Sequence, residues 1–374
     1  MINRQKSITE NPSVLAIFSV VLGLGFGLSA LLLSGYNPLL AIKVMGYNTF
    51  GKLRFFLWIL IQAVPIIFTG ISVAFAYRTG LFNIGAEGQF IIGALVAALV
   101  GYYVRLPMII HPIVVLLCSI IAASIWGGIA GWLKAQFGVH EVISTIMLNW
   151  IALYLNNFIL NFPQLRRPES EATHKVLFSA RIDLFSRLKE EGDWYTFQTN
   201  HPQLADVFRA PITIGILLAV LTAIIIWILI EKTNFGYKLK MVGFNKDAAL
   251  YQGVSVTRSY VSAMLISGAL AGIGGACHVL GVTHEVAKLA AMEGNGFDGI
   301  AVALIANAHP IGTIFSGILF SALAWGGKSI QRDLGAPTEV VNIVIGIIIF
   351  FIAAPGIFKT ITQMRYQRKM RRKQ

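Results

Sequence analysis

Apolar residues in this chain come in long continuous runs separated by short polar stretches. Seven runs could cross a bilayer on length alone, at about 13–34, 55–77, 86–103, 107–133, 141–161, 210–230 and 258–281. The last third adds a shorter run near 297–308, then runs at about 310–326 and 338–358. A helix needs about 20 residues to span the hydrocarbon, so the eighth run is short for a crossing. Barrel strands would instead give alternating segments of about ten residues. The pattern predicts an all-α polytopic membrane protein with about ten transmembrane helices, forming one transmembrane domain over residues 1–374.

Composition agrees: 56% of residues are hydrophobic and 13% charged, more apolar surface than a soluble domain of this length can hide. Arg4 and Lys6 precede the first run, which lacks a small-residue cleavage site and reads as an anchor helix, not a removed signal. The net charge of +13 invites a nucleic-acid reading, but the excess sits in the tail "KTITQMRYQRKMRRKQ" directly after an apolar run. Such a tail is a topology determinant or a lipid contact, and no nucleic-acid partner is expected. With both termini inside, sixteen Lys and Arg fall in cytoplasmic segments and seven in short outside loops, as the positive-inside rule asks. This topology makes 1–12 a cytoplasmic N-terminus, 163–209 an extracellular loop, 232–257 a cytoplasmic loop and 359–374 a basic cytoplasmic tail. The 163–209 loop carries no recognisable motif, and its seven bases and seven acids cancel.

Two interruptions stand out. "RTGLFNIGAEGQF", residues 78–90, crowds Gly, Asn, Glu and Gln between two apolar runs. Asn83 is suited to cap the helix that follows, Glu87 to its first turn, and Gly80, Gly85 and Gly88 to a tight break between packed helices. "EGNGFDGIAVALIANAHPIG", residues 293–312, repeats the theme before a second apolar run. The copies follow the second and seventh spans, an offset of five, so the second enters the membrane from the opposite side. Two inverted five-helix repeats follow, and matching interruptions of this kind point to a transport site at the repeat interface. The alternative is two ordinary helix N-termini, capped by Asn83 and by Asn295 or Asp298.

Polar residues within the runs extend the candidate pathway. "HEVISTIMLNWIALYLNNFI" in the fifth span places Thr145, Asn149 and Asn156 on one face, with Ser144 and Asn157 also costly in lipid and Trp150 to one side. The pathway candidates are Asn83, Glu87, Gln89, Thr145, Asn149, Asn156 and Asn307. The competing reading is interhelical hydrogen bonding, with Glu87 capping a helix or pairing with Arg78. Asn307 and His309 precede Pro310 and mark either a site or a stop.

Catalytic chemistry finds no support. Cys118 and Cys277 lie in apolar runs, and neither His140–Glu141 nor His284–Glu285 has the second His of a zinc helix. "ALAWGGKS", Ala322 to Ser329, matches a relaxed phosphate-loop pattern, but it follows a membrane span instead of a strand. No catalytic residue, metal or cofactor is expected.

The cytoplasmic loop contains "VGFNKDAALYQGVSVTRSYVSAMLISGALAGIGG". Asn245 suits a helix cap, Asp247 the first turn, and Gly253 the stop of a short helix. Taken in order with "GLFNIGAEGQFIIGA" and "GFDGIAVALIANAHPIG", it resembles the permease subunits of bacterial ABC importers for simple sugars, branched-chain amino acids and nucleosides. The resemblance covers about 55–356, and "GLFNIGAEGQ" is most similar to the nucleoside permeases linked to basic membrane lipoproteins. It implies a subunit of the cell membrane that hydrolyses nothing itself and imports nucleosides by alternating access, with ATP bound by a separate cytoplasmic ATPase. It further implies a coupling helix at Asn245, Lys246, Asp247, Ala248, Ala249, Tyr251, Gln252 and Gly253, with Ala248 and Ala249 small enough for close docking and Tyr251 as a knob. A second permease subunit and an extracellular substrate-binding lipoprotein would complete the assembly. The alternatives are a sugar or branched-chain amino acid substrate, or a stand-alone secondary transporter.

Overall fold

The computed structural model describes residues 12–185, 189–190 and 192–353. Before the long loop the chain forms α1 (Pro12–Leu33), α2 (Pro38–Phe50), α3 (Leu53–Arg78), α4 (Ala86–Tyr103), α5 (Ile110–Phe137) and α6 (Glu141–Ile159). The described part of the loop includes the short helices α7 (Trp194–Asn200) and α8 (Pro202–Phe208). Then follow α9 (Gly215–Lys232), α10 (Asn234–Phe244), α11 (Lys246–Tyr251), α12 (Val256–His278), α13 (Asn295–Ile305), α14 (Gly312–Leu334) and α15 (Thr338–Ala353). Among the described residues there is no β-strand, only three isolated bridges. The basic tail, with Arg4 and Lys6, lies outside the described residues.

Among the described residues six helices are long and apolar enough to cross a membrane: α3, α4, α5, α6, α9 and α12 with its π-helical extension to Thr283. The eighth run is a shorter thing. α13 has 11 residues, about 16 Å at 1.5 Å per residue, roughly half of a 30 Å hydrocarbon layer. The left-handed φ values of Asn307 and Ala308, 49° and 52°, stop it from reaching the 308 that hydropathy suggests.

The chain divides into two compact units, Met1–Lys52 with Ala322–Gln374, and Leu53–Ser321. In the first, Leu31, Ala41, Ile330, Val341, Val344 and Ile348 form the apolar core. Arg332 donates to Asn48 Oδ1 at 2.8 Å, and Asn48 Nδ2 donates to Asp333 at 3.0 Å. The helix that presents Asn48 occupies a stretch expected as a plain outside loop. Asn37 caps it, its side chain accepting from Leu39 and Leu40 N, and Pro38 takes the first turn.

In the second unit α12 is the central helix, packed on α3, α4 and α5. Its sequence "SGALAGIGGA" lets backbones touch where lipid offers no hydrophobic force to drive helices together. A β-carbon on Gly275 would collide with the Phe90 carbonyl oxygen, and one on Gly268 with that of Ala123.

The long loop folds back onto the segment that follows α12. Thr173 N donates to Val286 O and Val176 N to His284 O, both at 2.8 Å, and Ile182 N donates to Leu280 O at 3.1 Å. Arg181 pairs with Glu190 at 2.9 Å and lies over the Phe178 ring. His284 Nε2 lies 3.2 Å from Asp183, yet burial first, and then the Arg181 and Lys175 cations, push its pKa down to about 4. The contact is therefore a hydrogen bond of a neutral imidazole near neutral pH.

Two outcomes follow. Gly275→Ala lowers the stability of the purified protein by about 2 kcal/mol in thermal unfolding, while Gly46→Ala, with open space around it inside α2, raises it by up to about 1 kcal/mol. A released His284 binds its proton near pH 6.5 but the docked one only near 4, so the loop's hold is full above about 6.5 and weakens as pH falls towards 4. Hydrogen exchange at Val176 and Ile182 should show extra opening at pH 5 over pH 7.5, and His284→Gln should abolish that difference.

Candidate functional site

The site is built where α3 ends and α4 has not yet begun. Gly80, at φ +75°, turns the chain out of α3, with Leu81 N returning to Ala76 O. Asn83 was expected to cap α4; instead its Oδ1 accepts from Gly85 N at 3.0 Å, a local turn, and α4 has no side-chain cap. The remaining capacity of Asn83 is turned inward. Its Nδ2 donates to Gln89 Oε1 at 2.9 Å and Ser267 Oγ at 2.7 Å, and Gln89 Nε2 returns a bond to Asn83 Oδ1 at 3.2 Å. Ser72 Oγ lies 2.9 Å from Ser267 Oγ, so α3, α4, α12 and the break share one buried polar cluster. Ser72 and Ser267 were not singled out from sequence; their only signal is a hydroxyl inside an apolar run.

α6 straps the break from the other side. Asn149 Nδ2 donates to Ile84 O at 3.0 Å while its Oδ1 accepts from Gly88 N at 2.8 Å, satisfying two backbone groups that the break leaves free. Thr145 bonds back to Glu141 O in its own helix and sets its β-carbon against Gly85. Asn156 donates to Ala287 O at 3.1 Å, and Asn157 both donates to Leu289 O and accepts from Leu289 N at 2.8 Å. The stripe of Thr145, Asn149 and Asn156 is buried on one face as the spacing predicts, but it grips two different segments. Trp150 stays half-exposed beside it.

Glu87 joins the two interruptions. Its carboxylate accepts from Gly294 N at 2.8 Å and Gly296 N at 2.5 Å, so the first turn of α4 also neutralises the start of α13. A β-carbon on Gly296 would collide with the Glu87 backbone nitrogen. The expected caps Asn295 and Asp298 are not used: Gly294 holds the cap position without a side-chain bond. Nor does Glu87 pair with Arg78, whose Nε donates to Ala308 O at 3.0 Å.

Thr69 Oγ1 donates to Asn295 O at 2.8 Å, which gives the depth of this junction. Thr69 is about 13 Å along α3 from Arg78 and about 24 Å from Leu53, well inside a span. Glu293, in the segment before α13, and Phe297 on its outer face are nevertheless exposed here, as is Leu304 further along. Asn307 lies apart from the Asn83 cluster, exposed at the rim of a 360 Å³ pocket that Arg78 and Lys240 also line.

The short α11 forms where the sequence places it. Asn245 Oδ1 accepts from Asp247 N and Ala248 N, both at 3.0 Å, and Gly253 ends the turn at φ +77°. Asn245, Lys246, Asp247, Ala248, Tyr251, Gln252 and Gly253 are exposed, Tyr251 at 95%. Ala249 is a correction: it is fully buried with Val242 and Val254, anchoring the helix instead of meeting a partner. Phe244 and Leu250 are exposed beside Tyr251. A β-carbon on Gly243, one residue before Phe244, would clash with the Arg78 carbonyl and Gly80 nitrogen, so this hairpin touches the break backbone to backbone.

Residues 55–353 match the family model described as branched-chain amino acid transport system / permease component. The chain is 39% identical over 338 residues to the guanosine ABC transporter permease protein NupP of Bacillus subtilis, covering 90% of this chain and 92% of that one. It is 32% identical to the nucleoside ABC transporter permease protein NupB of Lactococcus lactis, over 92% and 91% of the two chains. It is 30% identical to the glucose ABC transporter permease protein TsgB13 of Haloferax volcanii, over 92% and 87%. No solved structure matches.

Glu87→Ala, which strips the acceptor from two buried amides, should cost about 3 kcal/mol of stability, and Glu87→Gln, keeping one acceptor, about half as much. Thermal unfolding of the purified variants measures both.

Proposed function

This chain belongs to the branched-chain amino acid transport system / permease component family, and we propose that it is the membrane-spanning subunit of an ABC importer for nucleosides. Similarity to a guanosine and a nucleoside permease over nine-tenths of the chain supports the substrate class. The topology that fits is ten crossings in two inverted five-helix repeats with both termini cytoplasmic. In that topology α13 is a half-helix entering beside α4, and α11 lies in the cytoplasm.

One observation carries the transport reading. Glu293, just before α13, and Phe297 on it are exposed at a depth where lipid would otherwise surround them. A carboxylate facing hydrocarbon is too costly to keep, so this face meets water, substrate or a second permease subunit. A path lined there offers a ring face for a base and an acceptor for ribose or base donors. Asn83, Glu87, Gln89, Thr145, Asn149 and Asn156 stand behind it, holding the two helix breaks that shape the path, and Asn307 lies at its cytoplasmic end. The binding lipoprotein delivers substrate from outside.

The drive comes from a separate ATPase docking on α11, where Tyr251 and Leu250 offer apolar knobs among Lys246 and Asp247. Because Gly243 rests on Arg78 and Gly80, and Arg78 holds Ala308, a push on this hairpin reaches the start of one break and the end of α13 together. Such a lever is what alternating access requires of a permease without an ATP site of its own.

Uptake of labelled guanosine by vesicles carrying the whole transporter should require ATP and be competed by unlabelled nucleosides. Competition by glucose or leucine but not by nucleosides would move the assignment to the sibling substrates. Tyr251→Asp should leave the protein in the membrane and lower uptake at least tenfold; full uptake would remove α11 from the coupling role. Glu293→Ala should lower uptake with the membrane level unchanged.

A further inference from the structure

The 360 Å³ pocket at the end of α3 is lined by Tyr77, Arg78, Phe82, Lys240, Phe244 and Asn307 among others. Asn307 and the Arg78–Ala308 bond belong also to the path and the lever, but neither role uses the Lys240 cation or the terminal nitrogens of Arg78. Arg78 uses only its Nε–H within the described residues, on Ala308 O, which leaves the two terminal nitrogens of a planar cation at the pocket. Lys240 is shared with Glu231 at 2.7 Å. Glu231 also feels the Arg78 cation, so one carboxylate stands against the two cations that line the pocket.

The helix that forms one wall has the composition of a membrane-surface segment. α10, "NFGYKLKMVGF", follows the span α9 at a tight corner, where Thr233 Oγ1 accepts from Gly236 N. Its inner residues Gly236, Leu239 and Val242 are buried, while Phe235, Tyr237, Lys238 and Phe244 are exposed. Tyr77 is exposed at the end of α3, and Lys232 lies over the Trp227 ring at the end of α9. Aromatic rings and lysines alternating at the ends of spans mark headgroup level, where rings sit in the interface and cations meet phosphate.

We propose that this pocket binds the phosphate of an anionic phospholipid of the cytoplasmic leaflet, held by Arg78 and Lys240 with the exposed rings of Tyr77 and Phe244 against its glycerol and upper acyl chain. The shared chemistry is a phosphate monoanion; the apolar rings select the lipid over free phosphate. A lipid here touches the Gly80–Gly243 contact and the Asn307–Ala308 turn together, so its presence stiffens the link between the cytoplasmic hairpin and both breaks. The site needs only that this end of the spans meets a membrane surface, so it stands or falls apart from the nucleoside reading.

The test is lipid retention by the purified transporter, read by native mass spectrometry after incubation with equal phosphatidylglycerol and phosphatidylcholine. The expected result is one phosphatidylglycerol retained per chain in preference to phosphatidylcholine, falling about fivefold in Lys240→Gln, the change that one interfacial cation gives. Arg78→Gln should lower it as well, but that variant also loses the Ala308 bond, so Lys240→Gln decides. Equal retention of the two lipids, or retention unchanged in Lys240→Gln, overturns the proposal. Displacement of the lipid by millimolar orthophosphate would assign a free-anion site and overturn the lipid source. Loss of the ATPase subunit from Lys240→Gln with lipid retention intact would give the pocket to the ATPase and overturn it too.

Discussion

Two helix N-termini share one carboxylate at the heart of the larger unit. Each helix start carries unsatisfied N–H groups and partial positive charge, and inside a membrane no water is at hand to satisfy them. Glu87 lies in the first turn of α4 and accepts from the amides of Gly294 and Gly296 at the start of α13. A buried carboxylate is tolerable because two helix dipoles and two amides face it, and two starts are tolerable because the carboxylate is there. Gly296 completes the arrangement, since any side chain there would strike the Glu87 backbone. From this point α13 acquires its direction, its exposed outer face and its depth.

The rest of the unit converts that junction into something movable. Where the chain breaks between α3 and α4, side chains replace the missing helical bonds: Asn149 serves Ile84 and Gly88, and Asn83 with Gln89, Ser72 and Ser267 closes the interior. Polar side chains that would be expensive in lipid thereby become the clamp that holds irregular backbone. Contacts outside the clamp are of another kind. Gly243 on Gly80, and α12 against α4 and α5, are backbone contacts without side chains to yield, so displacement passes through them instead of being absorbed. On the far side, the long loop and the 280–289 segment bond through main chain, and Asn156 and Asn157 hold that segment from α6.

Legibility from sequence followed the range of the interaction involved. Asn245 as the cap of α11 and Gly253 as its stop could be read directly, because each acts on neighbours two or three residues away. Ala249 could not, since whether a small residue faces in or out of a one-turn helix depends on what Val242 and Val254 do. The one-face stripe of Thr145, Asn149 and Asn156 was likewise visible in the spacing, but not the partners. Asn83 as a cap of α4, and Arg78 as one of the alternatives for Glu87, are readings that rest on side chains that look locally available. Their actual contacts lie on Gln89 and Ser267, and on Ala308.

Sequence alone determined that this is a helical membrane protein, where its apolar runs lie, where two of them are interrupted, and which family the motifs resemble. Those properties follow from hydropathy, helix signals and short-range spacing, which are carried by contiguous residues. Only the tertiary structure decided that the two interruptions meet, that one carboxylate serves both, that the eighth run is a helix of 11 residues preceded by an exposed acid, and that an unassigned helix follows Asn37. Each of these depends on contacts across hundreds of residues or on backbone angles such as those of Asn307 and Ala308, and neither composition nor periodicity encodes them.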